Sequence, residues 1–180
     1  MGDEIGSRFF AADDFSTFRA KLDEETRLLE QLFRRGEFSG RGDVVGFELE
    51  AWLVDQDGNP SPSNHMFLSQ LSNPLVVPEL SAYNVELNGS PSALQGRDFS
   101  RLRDELDATL GACRQTAEKM GLGLVTIGIL PTIGEGMLKP AFMSKVIRYQ
   151  SINDRIMALR DGNPISLCIE GDTDLVASHS

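Results

Sequence analysis

Two short acidic segments carry the side chains best suited to chemistry. In the first, Glu48 and Glu50 alternate with apolar residues within the run Val44–Val54. Residues i and i+2 of a β-strand point to the same side of a sheet, so these two carboxylates would face together. Neighbouring carboxylates repel each other, and a divalent cation such as Mg²⁺, which takes oxygen ligands, would remove the repulsion.

The second acidic segment runs from Pro78 to Asn88 and has the same character. Glu86 and Asn88 would share one strand face, and Glu79 lies seven positions before Glu86. A lone Glu-x-Glu pair is usually a solvated feature on the open face of an antiparallel sheet, and that alternative applies here too. Two such segments close together favour a metal site instead. Its predicted ligands are Glu48, Glu50, Glu79 and Glu86.

Hydrophobic periodicity predicts the elements that position these residues. The order of elements is mixed, and the sequence has no Gly-x-Gly-x-x-Gly motif, so a doubly wound nucleotide-binding fold is not expected. We expect an α+β fold with a largely antiparallel sheet and helices on one face. The polar run Asp55–Pro60 predicts a turn rather than a calcium loop. The predicted helices are Phe15–Arg35, Phe99–Met120 and Val146–Arg160, and the predicted strands are Val44–Val54, Leu75–Leu80, Asn84–Leu87, Leu122–Ile129 and Ile165–Ile169.

The two acidic segments, followed by a long amphipathic helix, resemble the carboxylate–amine ligases of glutamate–cysteine ligase family 2. The resemblance runs from about Asp43 to the end of the chain and is most specific in Gly46–Glu50 and Glu79–Glu86. It implies a fold similar to the catalytic part of glutamine synthetase. In that fold, glutamates on the concave face of the sheet hold Mg²⁺ ions around ATP and glutamate, and the four glutamates of this chain match them by position.

The resemblance also suggests further site residues. Arg148 and Tyr149 resemble an Arg-Tyr step near the amino-acid substrate, although a helix-face pair that packs on the sheet is an equal alternative. Asn88 is a candidate for substrate binding because it shares a strand face with Glu86. Glu135 is a further candidate metal ligand, by loose similarity to an acidic residue that follows the same strand in family members.

The activity implied by the resemblance is an ATP-dependent ligation that forms a γ-glutamyl amide, with glutamate and cysteine as the expected substrates. A carboxylate acylates poorly, so phosphorylation by ATP first converts it to an acyl phosphate. Catalysis of this kind depends on positioning and on neutralising charge, which explains acidic metal ligands rather than a nucleophile–base pair. Three alternatives stay open: another acceptor amine, a non-catalytic metal- or ligand-binding module of the same fold, and a metal-dependent phosphohydrolase.

Composition narrows the function classes. The chain has 180 residues and a formal net charge of −10, which makes a nucleic-acid backbone an unexpected partner. No apolar run approaches the ~20 residues needed to span a membrane, and the N-terminus has no secretory signal pattern. We expect Cys113 and Cys168 to be buried, reduced thiols, which fits a cytoplasmic protein.

The resemblance also bears on domain organisation. We expect a leader and helix in residues 1–42, followed in residues 43–180 by the N-terminal part of a ligase catalytic domain. Family members continue through further strands that carry a His, a Glu and an Arg for metal and nucleotide. The 180 residues alone are therefore expected to be inactive. Because the sheet would have an open edge, we expect them either to self-associate, with a homo-oligomer as one outcome, or to need the rest of the domain.

Overall fold

The computed structural model describes residues 4–38, 40 and 42–179. These residues form two compact units. The larger unit comprises the described residues of Phe10–Lys145, and the smaller unit comprises those of Met1–Phe9 and Val146–Ser180. Each unit contains helix and antiparallel strand, so the predicted α+β class is confirmed. The predicted division at residue 42 stays a prediction.

Helices and strands are distributed over both units. No helix of the described residues is long and apolar enough to cross a membrane. The helices are α1 (Ala12–Arg35), α2 (Asn64–Leu71), α3 (Asp98–Lys119) and α4 (Ile147–Arg160), with 3-10 turns at Glu135–Met137 and Pro140–Phe142. The strands are β1 (Val44–Val45), β2 (Glu48–Val54), β3 (Val76–Pro78), β4 (Asn84–Asn88), β5 (Ser92–Ala93), β6 (Gly123–Val125), β7 (Ile165–Ile169) and β8 (Leu175–His179).

The largest sheet has four antiparallel strands in the order β3-β4-β2-β6. One face of this sheet is apolar, because every second residue of β2 and β4 is aliphatic. Helices α2 and α3 pack on this face, as the sequence predicts for helices on one face. Burial of each large aliphatic side chain there contributes about 1.5–3 kcal/mol. The buried cluster consists of Ala51, Leu53, Phe67, Val76, Val85, Leu87, Cys113 and Ala117.

Helix α1 forms where the sequence predicts it, and both of its ends are capped. At its start, the Ala11 N–H donates to Asp14 Oδ2 over 2.8 Å, and at its end Gly36 adopts a left-handed conformation with φ 67°. No residue of α1 is buried within the described part of the chain. The large apolar side chains of the helix, such as Phe18 and Phe33, are exposed. Its apolar spacing therefore predicted a helix correctly but did not predict a core contact.

The predicted strand Val44–Val54 is interrupted at Phe47. The segment before the break pairs with β5 as β1, and the segment after it pairs with β4 as β2. At the break, the Gly89 N–H donates to the Phe47 carbonyl over 2.8 Å. A Cβ on Gly89 would lie 2.5 Å from the Phe47 ring, so the close approach of these two segments requires glycine.

Three other predictions about burial are wrong in part. Leu122–Ile129 forms a strand only at β6, and beyond it the Ile127 carbonyl accepts a hydrogen bond from Trp52 Nε1 over 2.7 Å. Phe99 begins the predicted stripe of α3 but is 71% exposed. Cys168 lies on the exposed strand β7, whereas Cys113 is buried as predicted.

The predicted turn after β2 is confirmed. Asp55 Oδ1 accepts hydrogen bonds from the Asp57 N–H at 3.0 Å and the Asn59 N–H at 2.8 Å. These bonds, that of Asn59 first, hold the pKa of Asp55 below its usual value. The aspartate therefore organises its own backbone, which is the usual role of Asp at such positions.

Candidate functional site

The second face of the four-stranded sheet carries the acidic residues. In the register of β2 and β4, Glu50 lies opposite Glu86, and Glu48 lies opposite Asn88. Directly opposed residues of an antiparallel pair project to the same face, with Cβ atoms about 4.5–5.5 Å apart. The predicted common face of these four residues is therefore confirmed, and it is the face opposite to α2 and α3.

Glu86 lies at the centre of this acidic face and is buried. Only 5% of its surface is exposed, whereas Glu48 and Glu50 are exposed. The Oε1 atom of Glu86 is buried without a hydrogen-bond partner. A buried carboxylate oxygen without a partner is unfavourable, so this position calls for a donor or a cation.

Asn84 lies on the same face, although it is not among the site residues predicted from the sequence. Its Nδ2 donates to Glu50 Oε2 over 2.9 Å, while its Oδ1 is buried without a partner. A signal for it was available in the sequence. The alternation that places Glu86 and Asn88 on one face also includes Asn84, which lies two residues earlier on the same strand.

Glu79 follows the end of β3 and approaches the same cluster. Its carboxyl lies close to that of Glu86, and it accepts a hydrogen bond from the Leu80 N–H at 3.0 Å. Partial burial raises the pKa of Glu79 most, and the carboxylates of Glu86 and Glu50 raise this pKa further against the opposing effect of the Leu80 N–H. The structure thus brings three of the four predicted ligands into electrostatic contact.

Within the described residues, no three His, Cys, Asp or Glu side chains are arranged as a ready-made metal site. The carboxyl groups of Glu79 and Glu86 interact electrostatically. The chemistry of the donors nevertheless fits a hard cation, because all of them are oxygens and two buried oxygens have no partner. The set of four glutamates stays a prediction.

A buried polar network fixes the corner between β3 and β4. Ser144 Oγ donates to the Glu79 carbonyl, and Asn64 Nδ2 donates to Ser144 Oγ at 2.8 Å and to the Asn84 carbonyl at 3.2 Å. The Ala82 N–H donates to a neighbouring carbonyl, that of residue 142, over 2.7 Å. Asn64 and Ser144 are both buried and were not predicted from the sequence, since they contact the corner from distant positions in the chain.

The end of the acidic face next to β6 is closed by apolar residues. Trp52 stacks on Tyr83 with ring centroids 6.0 Å apart, and Val54 and Leu130 complete this second cluster. Tyr83 Oη donates over 3.3 Å to the carbonyl of residue 137, which ends the 3-10 turn that contains Glu135. Glu135 is exposed in this turn, and its role as a metal ligand stays a prediction.

The predicted substrate residues Arg148 and Tyr149 lie in the other compact unit, near the start of α4. The Arg148 guanidinium lies 4.9 Å from the centroid of the Tyr149 ring and donates to its Oη over 3.3 Å. The Arg148 N–H donates to Glu4 Oε1 at 3.2 Å. The two side chains therefore form a local pair, and their contact with a substrate stays a prediction.

Comparison with protein families gives one result. The family model of glutamate–cysteine ligase family 2 matches residues 44–165, which is more than half of the chain. The chain belongs to this family. Membership implies a carboxylate–amine ligase with small-molecule substrates. Comparison with curated proteins and with solved structures gave no match.

The region matched by glutamate–cysteine ligase family 2 begins at β1 and ends at the first residue of β7. It therefore includes both acidic strands, the polar network at the corner, and the pair in α4. Helix α1 lies outside the matched region. The similarity of this family member to the glutamine synthetase fold stays a prediction.

Proposed function

We propose that this member of glutamate–cysteine ligase family 2 joins the γ-carboxylate of glutamate to the amine of cysteine and converts ATP to ADP and phosphate. One observation carries the proposal: the family match includes both acidic strands, and their register sets Glu50 opposite Glu86 on the face away from the helices. The alternatives, a phosphohydrolase and a non-catalytic binding module, would use the same acidic face.

The reaction has two steps. A γ-carboxylate oxygen of glutamate attacks the terminal phosphorus of ATP, which forms γ-glutamyl phosphate and releases ADP. The amine of cysteine then attacks the acyl carbon, the bond from that carbon to the phosphate oxygen breaks, and phosphate leaves while the amine loses a proton. Such steps depend on the alignment of the reactants and on neutralisation of phosphate charge.

The acidic face would hold the cation that the family uses. In our proposal its ligands are Glu48, Glu50, Glu79 and Glu86, with Glu135 as a further candidate. Mg²⁺ bound there would supply positive charge to the phosphate oxygens of ATP. The buried position of Glu86 and the polar network behind Glu79 support this proposal, because both restrict where the carboxylates can lie.

The substrate contacts are proposed from residue chemistry. Arg148 carries a guanidinium that can bind the α-carboxylate of an amino acid through two parallel hydrogen bonds. Tyr149 can orient that guanidinium through the contact described above. Asn88 lies opposite Glu48 on the acidic face, where its amide can bind a substrate oxygen or amine.

The deciding assay measures ADP and phosphate from ATP and Mg²⁺, with and without glutamate and cysteine. ADP release that requires both amino acids supports the proposal. Phosphate release without an amine contradicts it and supports a phosphohydrolase. Binding of Mg²⁺ and ATP without turnover supports a non-catalytic module, and it would also agree with the prediction that these 180 residues alone are inactive. The absence of Mg²⁺-dependent ATP binding would contradict both the ligase and the non-catalytic module.

We also propose that the protein works in the cytoplasm, where ATP and reduced cysteine are available. The two cysteines of the chain are free thiols, as expected in a reducing compartment.

Strand β7 pairs only with β8 within the described residues, and both strands have exposed apolar side chains, which supports the prediction of self-association.

A further inference from the structure

We propose that Asn84 is part of the cation site: its Nδ2 holds Glu50 in place, and its Oδ1 is a further oxygen ligand for the cation. This inference rests on the proposed function, since it names an additional residue of the same site. No side chain other than the predicted glutamates was assigned to cation binding, so the proposal extends the ligand set beyond carboxylates.

Burial is the first argument. Asn84 is 95% buried, and its Oδ1 has no hydrogen-bond partner. A buried amide oxygen without a donor is unfavourable relative to one that accepts a hydrogen bond. The unpartnered Oδ1 of Asn84 therefore lowers the stability of the fold, and an apolar side chain of similar size would avoid this loss.

The orientation of the Asn84 side-chain amide also supports the proposal. The Nδ2 atom of Asn84 is fixed by its hydrogen bond to Glu50 Oε2 at 2.9 Å. Because an amide group is planar, a fixed Nδ2 also fixes the direction of Oδ1. The opposite assignment of the two amide atoms would set the Asn84 oxygen against the Glu50 carboxylate, where two acceptors would repel.

The residues next to Asn84 support the proposal as well. The buried Oε1 of Glu86 is a second oxygen without a partner, and it belongs to the same strand face two residues away. Residues i and i+2 of a strand are about 6.8 Å apart along the chain, so both side chains can reach one ion between them. Asn84 Oδ1 has no hydrogen-bond donor among the described residues.

The test compares Asn84→Leu and Asn84→Asp with the wild type and with Asn59→Ala, a control in the exposed turn after β2. Mn²⁺ replaces Mg²⁺ because it takes the same oxygen ligands and can be followed by the paramagnetic resonance of the free ion. Thermal unfolding without any cation is measured in parallel on all four proteins. Neither readout depends on ligase activity.

We expect Asn84→Leu to weaken Mn²⁺ binding by about 10- to 100-fold, while its unfolding temperature without cation is equal to or above that of the wild type. Asn84→Asp keeps an oxygen ligand, so it should bind Mn²⁺ within about tenfold of the wild type. Asn59→Ala should bind as the wild type does.

Three results would overturn the proposal. If Asn84→Leu binds Mn²⁺ as the wild type does, Asn84 has no role, and the proposed ligase function is unaffected. If the Leu and Asp variants weaken binding equally, only the contact of Nδ2 with Glu50 matters, and Oδ1 is not a ligand. If the wild type binds no Mn²⁺ at all, the cation site itself is wrong and the proposed function fails with it.

Discussion

The two faces of the β3-β4-β2-β6 sheet are built by the same strands and differ in almost every physical respect. On the apolar face, Leu53, Val85 and Leu87 are completely buried against α2 and α3. On the acidic face, Glu86 and Asn84 are also buried, but each has an oxygen without a partner. Neighbouring residues of one strand therefore have opposite effects on the fold.

This difference separates stability from function within single strands. The apolar face gains free energy from burial of carbon. The acidic face places carboxylates side by side, which is unfavourable until something positive binds. Residues that make a site work often reduce stability, and alternation along a strand lets both kinds of residue coexist.

The largest expected effect is on the apolar face. Leu87→Ala should lower the free energy of unfolding by about 2–5 kcal/mol, because Leu87 is completely buried and its loss leaves a cavity. Urea denaturation measures the change. A loss below about 0.5 kcal/mol would mean that this face is not the core, since substitutions with so small an effect are typical of surfaces.

At the preceding residue, Glu86, we expect a substitution to change the free energy of unfolding in the opposite direction. Glu86→Gln should raise the free energy of unfolding without cation by about 0.5–2 kcal/mol, because it removes a buried charge and can donate to Glu79. The same change should abolish the stabilisation of the wild type by Mg²⁺, which grows with the ratio of ion concentration to Kd. Paired urea titrations with and without Mg²⁺ measure both effects. A destabilised variant that keeps its response to Mg²⁺ would contradict the comparison of the two faces.

Low pH should destabilise the protein through a buried carboxylate on the helix side of the sheet. Asp98 at the start of α3 is buried, and the Ser92 hydroxyl, followed by the Arg101 guanidinium, lowers its pKa. A lowered pKa in the folded state gives stability that is present above the ordinary pKa of aspartate and is lost as the pH falls through the lowered value. Thermal unfolding of the wild type should therefore lose stability in this acidic range, and Asp98→Asn should lose less of it. Equal losses in the two proteins would assign the acid sensitivity to other groups.

The acidic face should respond to pH in the opposite direction. Partial burial and the neighbouring carboxylates raise the pKa of Glu79, so its contribution to stability is complete below the ordinary pKa of glutamate. This contribution is lost as the pH rises through the raised value. The effect is small because Glu79 is only half-buried. Comparison of the wild type with Glu79→Gln across this range isolates it, and a difference that grows as the pH falls would have the wrong sign.

The smallest expected effect concerns the cysteines, one of which should not react with an alkylating reagent in the native protein. Burial raises the pKa of the Cys113 thiol, which packs on the apolar face, to about 11, whereas Cys168 is exposed. Alkylation of the native protein at neutral pH should therefore modify Cys168 and leave Cys113 unmodified until the protein unfolds. Mass spectrometry after timed alkylation measures both sites. Early modification of Cys113 would show that the apolar face opens easily.

The local elements were largely predictable from the sequence. Strand Ile165–Ile169 and helix α3 form within one residue of their predicted bounds, since both have clear stop signals. The shared face of Glu48 and Glu50, and that of Glu86 and Asn88, also followed from the two-residue period of a strand. These features depend on residues that are close in the chain.

The rest of the site depends on contacts between distant positions, which periodicity does not describe. The unpartnered oxygen of Asn84 becomes visible only when the register of β2 and β4 is known. Asn64 and Ser144 contact each other across 80 positions, and nothing in their local sequence marks them. The break at Phe47 likewise depends on its contact with Gly89, which follows the end of β4.

The separation of Ser144 from the strands has a consequence for the growing chain. Every element of the apolar face, from β2 to β6, is complete by Val125, whereas the hydroxyl that holds Glu79 belongs to residue 144. A ribosome releases the chain from its N-terminus, and domains begin to fold during synthesis. The nascent protein can therefore bury its leucines before the acidic corner is fixed, so it acquires a stable core first and an ordered acidic corner later.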